Sequence, residues 1–412
     1  MNSREDLMAE SSQKAEFRSE VRSFLAANAE PKREQSMWSL NSHSDPAHAA
    51  REFAATRAWQ KLLFDRNLAG LTYPRDFGGR GGESWMEATY REEAANYDVP
   101  SGFIASMIGM LGPALMRWGT EAQKKSLVPR LLSGEDTYCQ LFSEPGAGSD
   151  LAGLATRAIA DGDEFVVSGQ KVWNSAAQWC TRGMLLARTD PDLPKHKGIT
   201  FLLVDMATPG IDVRPLLQPT GAIHFNEVFL NDVRVPVENV IGEVNGGWQI
   251  ARTVLANESA VIGAGSPSST NRRLVELARV FDRTDDQVIR QELATSYIRE
   301  RVLGFMGERI LAAVRRRENP PMDPSILKLY VSENRTQTGK LAMAIGGVGV
   351  SAAEANDEMA LWCRSELLNR YTVSIGGGTN EVQRNNLAER ALGLPREPQN
   401  DHLVPWNEVR RS

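Results

Sequence analysis

The sequence has few of the features that mark secreted, membrane-spanning or nucleic-acid-binding proteins. Its three cysteines, Cys139, Cys180 and Cys363, are widely spaced and odd in number, which argues against a disulfide framework and favours a reducing compartment. It has no run of about eighteen apolar residues to span a membrane, and the N-terminus lacks the apolar core of a signal peptide. Acidic residues outnumber basic ones by 52 to 47, and no basic stripe with interleaved aromatics occurs, so nucleic acid is not an expected ligand.

What is present is typical of a globular cytoplasmic protein. Apolar residues make up 42% of the chain and charged residues 24%. A chain of 412 residues is too long for one compact core and predicts more than one packed domain. The five histidines show no metal-ligand spacing with cysteines or carboxylates, so no metal site is expected.

The hydrophobic period changes twice along the chain. In the first part, Phe17, Val21 and Leu25 recur at helical spacing, and residues 51–70 repeat the pattern. From about residue 136, short segments rich in Val, Leu, Ile and Phe alternate with turn residues, as expected for antiparallel strands, and ADGDE (160–164) predicts a hairpin turn. The helical period then returns, with segments predicted over 248–261, 286–316 and 325–344. We therefore predict a mainly α protein with a central β domain, divided into residues 1–135, 136–241 and 242–412.

Three segments suggest a ligand site. SEPGAGSD (143–150) contains small residues that let backbone N–H groups approach an anion or a ring edge, although an ordinary loop is the alternative. Trp173, in QKVWNS, can stack on a planar cofactor or simply pack within the β domain. SIGGGTNEVQR (374–384) lets the backbone pass close to a ligand, or forms a flexible turn before the last helix.

These segments resemble signatures of the acyl-CoA dehydrogenase family of flavoenzymes. SEPGAGSD carries the first resemblance, and SGQKVWNSAAQW (168–179), FNEVFLNDVRVPVENVIGEVNGGW (225–248) and GGTNEVQRNNLAERALGLPRE (377–397) follow in the family's order. The resemblance implies an N-terminal helical domain, a small β-barrel and a C-terminal four-helix bundle, which matches the order of periods. It covers most of the chain.

The resemblance also implies an FAD site and an acyl-CoA site. The implied FAD contacts are Gln140, Phe142, Ser143, Gly148, Ser149, Trp173, Asn174, Ser175, Gln287, Gly346, Gly347, Thr379, Asn380 and Glu381. Ser149, Gly377 and Gly378 are the implied acyl-CoA contacts. The chain departs from the family pattern at the adenosine end of FAD, where Met343 stands in place of a frequent Gln and Asp282 in place of a Gly, and Arg279 is displaced by one position.

The implied reaction needs a carboxylate that removes the α-proton of the thioester. Straight-chain members carry this Glu directly before the Gly-Thr of the C-terminal loop, where this sequence has Gly377. A second subgroup, similar to isovaleryl-CoA dehydrogenase and many bacterial catabolic relatives, carries it on the first C-terminal helix, where this sequence has Glu258. We predict that Glu258 is the base, with a solvated helix charge as the alternative; Glu381 matches a family position without a catalytic role. The missing side chain at residue 377 favours branched, cyclic or bulky acyl groups, such as steroid-derived ones.

The partners follow from the same resemblance. Electrons are expected to pass to an electron-transfer flavoprotein or a similar acceptor, and the chain to form a homodimer or homotetramer. Because the adenosine end departs from the pattern, an alternative is one subunit of a hetero-oligomer whose active sites are built from both chains. A flavin oxidase or monooxygenase with the same fold is a further alternative.

Overall fold

The first domain is helical, as predicted. The computed structural model describes residues 4–32, 36–38, 46–100, 102–263, 270–316, 318, 323–396, 398, 401 and 403–409. The helices are α1 (Arg4–Asn28), α2 (Pro46–Asp65), α3 (Ser84–Ala94), α4 (Phe103–Trp118) and α5 (Glu121–Ser133), and a short antiparallel ribbon pairs β1 (Glu30–Pro31) with β2 (Tyr97–Asp98). Helix α5 begins at a capping box, in which Thr120 and Gln123 each satisfy the other's backbone N–H.

The middle of the chain is a seven-stranded sheet. Its strands are β3 (Tyr138–Leu141), β4 (Arg157–Asp161), β5 (Glu164–Val172), β6 (Arg182–Arg188), β7 (Ile199–Asp205), β8 (Ile211–Pro215) and β9 (Asn226–Pro236). They lie in the order β3-β6-β4-β5-β9-β8, and β7 pairs with β6. The predicted hairpin turn is confirmed, since Gly162 joins β4 to β5 at a φ of 66°.

The strands predicted as antiparallel form the antiparallel pairs β4–β5, β5–β9, β6–β7 and β8–β9, but the sheet also contains parallel pairs that were not predicted. Strands β3 and β4 both run parallel to β6. A parallel pair needs a longer connection than a hairpin, and here β3 enters the sheet directly from α5, so the strand has no preceding hairpin partner. Alternation of residue types along a short strand reports which face is buried and does not report its direction.

The last part of the chain is again helical. Its helices are α6 (Gly247–Gly263), α7 (Thr270–Val280), α8 (Gln287–Arg315), α9 (Pro324–Ser351), α10 (Glu358–Leu368), α11 (Arg370–Ile375) and α12 (Asn380–Asn386). Asp323 caps α9 by accepting from the N–H of Ser325 at 2.8 Å, and Pro324 occupies the first turn, where its missing N–H costs nothing. Helix α9 extends beyond the predicted end at Ala344 and kinks at Gly347, whose φ is 52°. None of the helices in the described ranges is both long and apolar enough to cross a membrane.

Helix α6 lies where all three parts of the chain meet. It packs against α4 of the first domain, β7 of the sheet and α9 of the helical domain. Ile250, Ala251 and Val254 are buried in the core cluster that α4 and the sheet share. Trp118 of α4 donates its Nε1–H to Thr253 Oγ1 at 3.1 Å, which fixes the rotation of α6 against the first domain. The C-terminal half of α6, including Glu258, is thereby held at the junction.

Candidate active site

Glu258 lies on α6 between the sheet and α9. The side-chain amide of Gln140, on β3, donates toward Glu258 Oε2 across 3.5 Å. Burial raises the pKa of Glu258, whereas the Gln140 amide and the positive charge of Lys328 act to lower it. The side chain remains partly accessible. A carboxylate with a raised pKa and partial access is a suitable proton acceptor.

The loop after β5 presents an aromatic ring to solvent. Trp173 is 61% exposed and lies edge-on to Phe225, with the ring centroids 6.0 Å apart. Its φ is 64° and that of Ala176 is 55°, a left-handed conformation that is uncommon for residues with a side chain. Such backbone strain concentrates at functional loops. The exposed Trp173 ring is accessible for stacking.

Asn174 connects this loop with Gln140. Its side-chain amide donates to the carbonyl of Gln140 at 2.7 Å, and its backbone N–H donates to the carbonyl of Asn226 at 3.1 Å. Its Oδ1 atom is buried and, among the described residues, has no hydrogen-bond partner. Buried acceptors are normally hydrogen-bonded, so a donor from a ligand is expected here. Ser175, the next residue, is partly exposed beside it.

The SEPGAGSD loop is anchored by a buried ion pair. Lys171 Nζ donates to Glu144 Oε1 at 2.7 Å and to the carbonyl of Phe142 at 3.0 Å. Glu144 also accepts from the backbone N–H groups of Ala155, at 2.7 Å, and Thr156, at 2.9 Å. Burial acts to raise the pKa of Glu144, but Lys171 and the N–H donors lower it overall, which favours the carboxylate form; burial lowers the pKa of Lys171, and Glu144 opposes that effect.

The glycines of that loop border open space. A Cβ atom added to Gly146 or Gly148 would meet nothing within 4 Å, so a ligand can approach the main chain closely there. Ser149 is exposed and Ser143 partly exposed on the same loop. The ring of Phe142 is buried against Phe201, with centroids 6.0 Å apart, which leaves only its main chain to contact a cofactor.

The loop between α11 and α12 depends on glycine geometry. Gly377 and Gly378 have φ values of 65° and 89°, where a residue with a side chain would be strained. Gln383 donates to the carbonyl of Gly377 at 2.9 Å, and Lys328 Nζ donates to the carbonyl of Gly378. Position 377 therefore suits glycine rather than a catalytic Glu, in line with a base located elsewhere.

The polar residues that follow mostly build α12. Thr379 caps the helix by accepting from the N–H of Val382 at 3.2 Å, and Asn380 accepts from the hydroxyl of Ser332. Glu381 is exposed in the first turn, where its own backbone N–H and the Thr379 hydroxyl lower its pKa. It is a solvated carboxylate, in contrast to Glu258.

The remaining predicted contacts form a second group around the kink of α9. Gly346 and Gly347 lie at the kink, and a Cβ on nearby Gly349 would come within 2.4 Å of the Phe281 ring. Gln287, at the start of α8, is exposed. Within the described residues, no hydrogen bond joins this group to Glu258 or Trp173. Asp282, which replaces the family's glycine, has a φ of 51°, a conformation that Asp tolerates better than most residues.

Several buried lysines and a C-terminal strap, residues 401 and 403–409, were not predicted from the sequence. Lys195 Nζ contacts Asp150 of the SEPGAGSD loop at 3.0 Å and also Asp401 of the strap. Trp406 lies against the Arg188 guanidinium, 4.8 Å from ring centroid to Cζ, and donates to the carbonyl of Gly153 at 3.3 Å. A lone Trp in a Pro-containing tail was the available signal. Among the described residues, no group of three or more His, Cys, Asp or Glu side chains could hold a metal ion.

Comparisons with known proteins agree with the motifs. Models of the N-terminal, middle and C-terminal domains of acyl-CoA dehydrogenases match residues 11–135, 139–233 and 245–392. Acyl-CoA dehydrogenase IpdE1 of Mycobacterium tuberculosis is 38% identical over 393 residues, which cover 93% of this chain and 98% of that protein.

Solved structures share the fold. The Tcur3481-Tcur3483 steroid ACAD superposes with a TM-score of 0.74 at 29% identity, covering 94% of this chain and 98% of that one. The ChsE4-ChsE5 complex from Mycobacterium tuberculosis gives a TM-score of 0.68 at 28% identity, covering 93% and 98%. The predicted family and fold class are confirmed, and this protein belongs to the acyl-CoA dehydrogenase family of enzymes.

Proposed function

We propose that the protein removes the α and β hydrogens of an acyl-CoA thioester, with Glu258 as the base. The observation that carries the proposal is the position of Glu258 on α6, next to Gln140 of β3; the positive charge of Lys328 on α9 acts to lower the pKa of Glu258. The same lysine holds the glycine loop through Gly378. Glu258 is thus linked to Gln140 of β3, the strand that precedes the SEPGAGSD loop, and the lysine that acts on its pKa contacts the glycine loop.

The reaction is balanced by one proton and one hydride. The Glu258 carboxylate takes the proton from Cα, and the electron pair of that C–H bond forms the Cα=Cβ double bond as a hydride leaves Cβ. FAD, when bound, supplies the acceptor for that hydride. Partial desolvation keeps Glu258 basic enough to remove a weakly acidic proton, and Gln140 orients its Oε2 atom.

The residues present fit a flavin. Trp173 offers an exposed ring, Gly146 and Gly148 border open space, and the buried Oδ1 of Asn174 needs a donor. We propose that these residues, with Gln140, Ser143, Ser149, Ser175, Thr379 and Asn380, hold the flavin. The acyl-CoA is proposed to lie along Ser149, Gly377 and Gly378.

The acyl group is proposed to be bulky, branched or polycyclic. Gly377 projects no side chain into the loop side of the site, and its φ of 65° disfavours one. A relative of the same fold is described as a steroid ACAD. A steroid-derived acyl-CoA is therefore the first substrate to test, and an electron-transfer flavoprotein is the proposed acceptor.

A second proposal is that the active site is completed by another chain. Gln287, Gly346 and Gly347 lie on α8 and α9, apart from the contacts that link Glu258, Gln140 and Asn174. Two of the similar structures carry paired subunit names, Tcur3481-Tcur3483 and ChsE4-ChsE5. The FAD content of the chain purified alone tests this: about one FAD per chain indicates a homo-oligomer, whereas a colourless protein that takes up FAD only with an unlike partner indicates a hetero-oligomer.

The reaction itself is tested by anaerobic mixing. FAD-loaded protein, with its partner chain if one is needed, is mixed with a steroid-derived acyl-CoA and with a short straight-chain one. We expect loss of the oxidised flavin absorbance and a product lighter by two hydrogens, faster with the bulky substrate. Reduction by neither thioester would refute the proposed reaction, and faster reduction by the short thioester would refute the proposed acyl group.

A further inference from the structure

Lys328 is a buried lysine in the candidate active site. It lies in the N-terminal part of α9, its side chain is 1% exposed, and its Nζ donates to the carbonyl of Gly378. Burying an ammonium group is costly unless hydrogen bonds and opposite charges compensate. A hydrogen bond to one backbone carbonyl compensates only part of that cost. The carboxylates that act on Lys328 are therefore needed to explain why it is buried.

Two carboxylates act on Lys328 from different elements. Burial lowers the pKa of Lys328, and Glu381 of α12 and Glu258 of α6 oppose that effect. The interaction is mutual, because the charge of Lys328 also acts on Glu258. Lys328 therefore links the base, the glycine loop and the first turn of α12.

Several other charged groups on α4, β7, α9 and α12 are exposed or contact other residues. On α4, Arg117 lies over the Trp118 ring at 5.0 Å, and on β7, Asp205 is exposed at the strand end. Gln140 is the neutral donor on Glu258. Farther along α9 and α12 lie an ion pair and exposed cations: Glu333 with Arg384, then Arg335 and Lys340.

We propose that Lys328 is a positioning residue for the dehydrogenation. Its ammonium group fixes the Gly378 carbonyl, and with it the glycine loop, and supplies a positive charge that stabilises the ionised Glu258 carboxylate. The inference rests on the proposed role of Glu258. It assigns to α9 a part in the reaction that the sequence motifs do not carry.

Two substitutions distinguish a role of the Lys328 charge from a role of its hydrogen bond alone. Lys328→Gln keeps a donor and removes the charge, and Lys328→Arg keeps the charge in a larger group. If the charge matters, Glu258 becomes harder to ionise in Lys328→Gln, so the rising limb of the rate against pH moves to higher pH. A shift of about one pH unit is expected, the low end for a close opposite charge. Lys328→Arg should keep the limb near its wild-type position even if the rate falls.

The experiment measures flavin reduction by the bulky acyl-CoA in anaerobic stopped flow across the pH range, using the assembled holoenzyme. Lys340→Gln, an exposed lysine on the same helix, is the matched control and should leave the profile unchanged. Equilibrium FAD binding to the apoprotein is measured in parallel. Lys328→Met, which also removes the donor, should weaken FAD binding by more than Lys328→Gln, because the Gly378 loop is released.

The outcomes separate this inference from the proposed function. A shifted limb in Lys328→Gln and a wild-type limb in Lys328→Arg support the positioning role. Superimposable profiles for wild type and Lys328→Gln overturn it, even where Glu258→Gln is slow. Rapid reduction by Glu258→Gln instead removes the proposed base itself. If Lys328→Gln does not fold, Lys328→Arg decides alone: a limb at the wild-type position supports the inference, and a displaced limb overturns it.

Discussion

Because Lys171 and Glu144 form a buried ion pair, we predict that replacing Lys171 destabilises the protein and that a second substitution at Glu144 restores part of the stability. In Lys171→Met, Glu144 loses its 2.7 Å partner but keeps the two N–H donors of Ala155 and Thr156, and the Phe142 carbonyl loses its donor. Removing one member of a buried ion pair costs about 3–5 kcal/mol. The retained N–H donors place the expected loss in the free energy of unfolding near the lower bound, about 3 kcal/mol.

Glu144→Gln in the Lys171→Met background should recover part of that loss, because the buried charge is removed, but the recovery is incomplete, because the Gln NH2 group would face the N–H of Ala155 or Thr156. The two substitutions should therefore be non-additive by about 1–3 kcal/mol. The assay is urea unfolding of the full chain followed by circular dichroism, with Lys197→Met, an exposed lysine near the same sheet, as the control. Unfolding free energies of Lys171→Met and wild type within about 0.5 kcal/mol of each other would refute the reasoning.

The same pair gives the sign of a pH effect. The pKa of Glu144 is lower in the folded chain than in the unfolded chain. Its contribution to stability is therefore present above the unfolded carboxyl pKa of about 4.3, and is lost as the pH falls through the lower folded value. Wild type should lose stability in that acid range, and Lys171→Met should lose less.

Three further changes test the flavin side of the site and the strap. Trp173→Ala should weaken FAD binding by about 0.5–1.5 kcal/mol through lost stacking, measured by fluorescence titration, and unchanged affinity would contradict the stacking role. Gly148→Val should fill the open space beside the loop and weaken FAD binding while circular dichroism stays unchanged; wild-type FAD affinity would show that the ligand lies elsewhere. Trp406→Ala should lower stability by about 1–2 kcal/mol by removing the Arg188 stack and the bond to Gly153, measured by urea unfolding, and no change would show that the strap is not held there.

The regular elements could be predicted because their signals are local. Phe17, Val21 and Leu25 are four residues apart and so lie on one face of a helix. All three are buried in the helix of residues 4–28. The ADGDE turn needs only Gly162 at positive φ between two strands. Helix α7 and the ribbon of β1 and β2 were not predicted. A strand of two residues is too short to show a hydrophobic period.

The parts of the site that were missed depend on distant contacts. Lys171 lies in the polar segment SGQKVWNS and Lys328 lies between Leu327 and Leu329, and neither segment indicates what contacts the lysine, yet both lysines are buried. Their partners lie 50 residues away at Gly378 and 27 residues away at Glu144. Nothing in the local sequence reports that separation. The motif resemblance, by contrast, predicted Glu258 as the base, and the structure places Gln140 against it.

The role of Glu258 is tested most directly by the rate of a single turnover. Glu258→Gln and Glu381→Gln are prepared with equal FAD content and mixed anaerobically with the preferred acyl-CoA. We predict that Glu258→Gln reduces its flavin at least about 10²-fold more slowly than wild type while still binding the thioester, since only the proton acceptor is lost. Glu381→Gln, which alters an exposed carboxylate, should stay close to the wild-type rate. A wild-type rate in Glu258→Gln, or the larger loss in Glu381→Gln, would contradict the assignment of the base to α6.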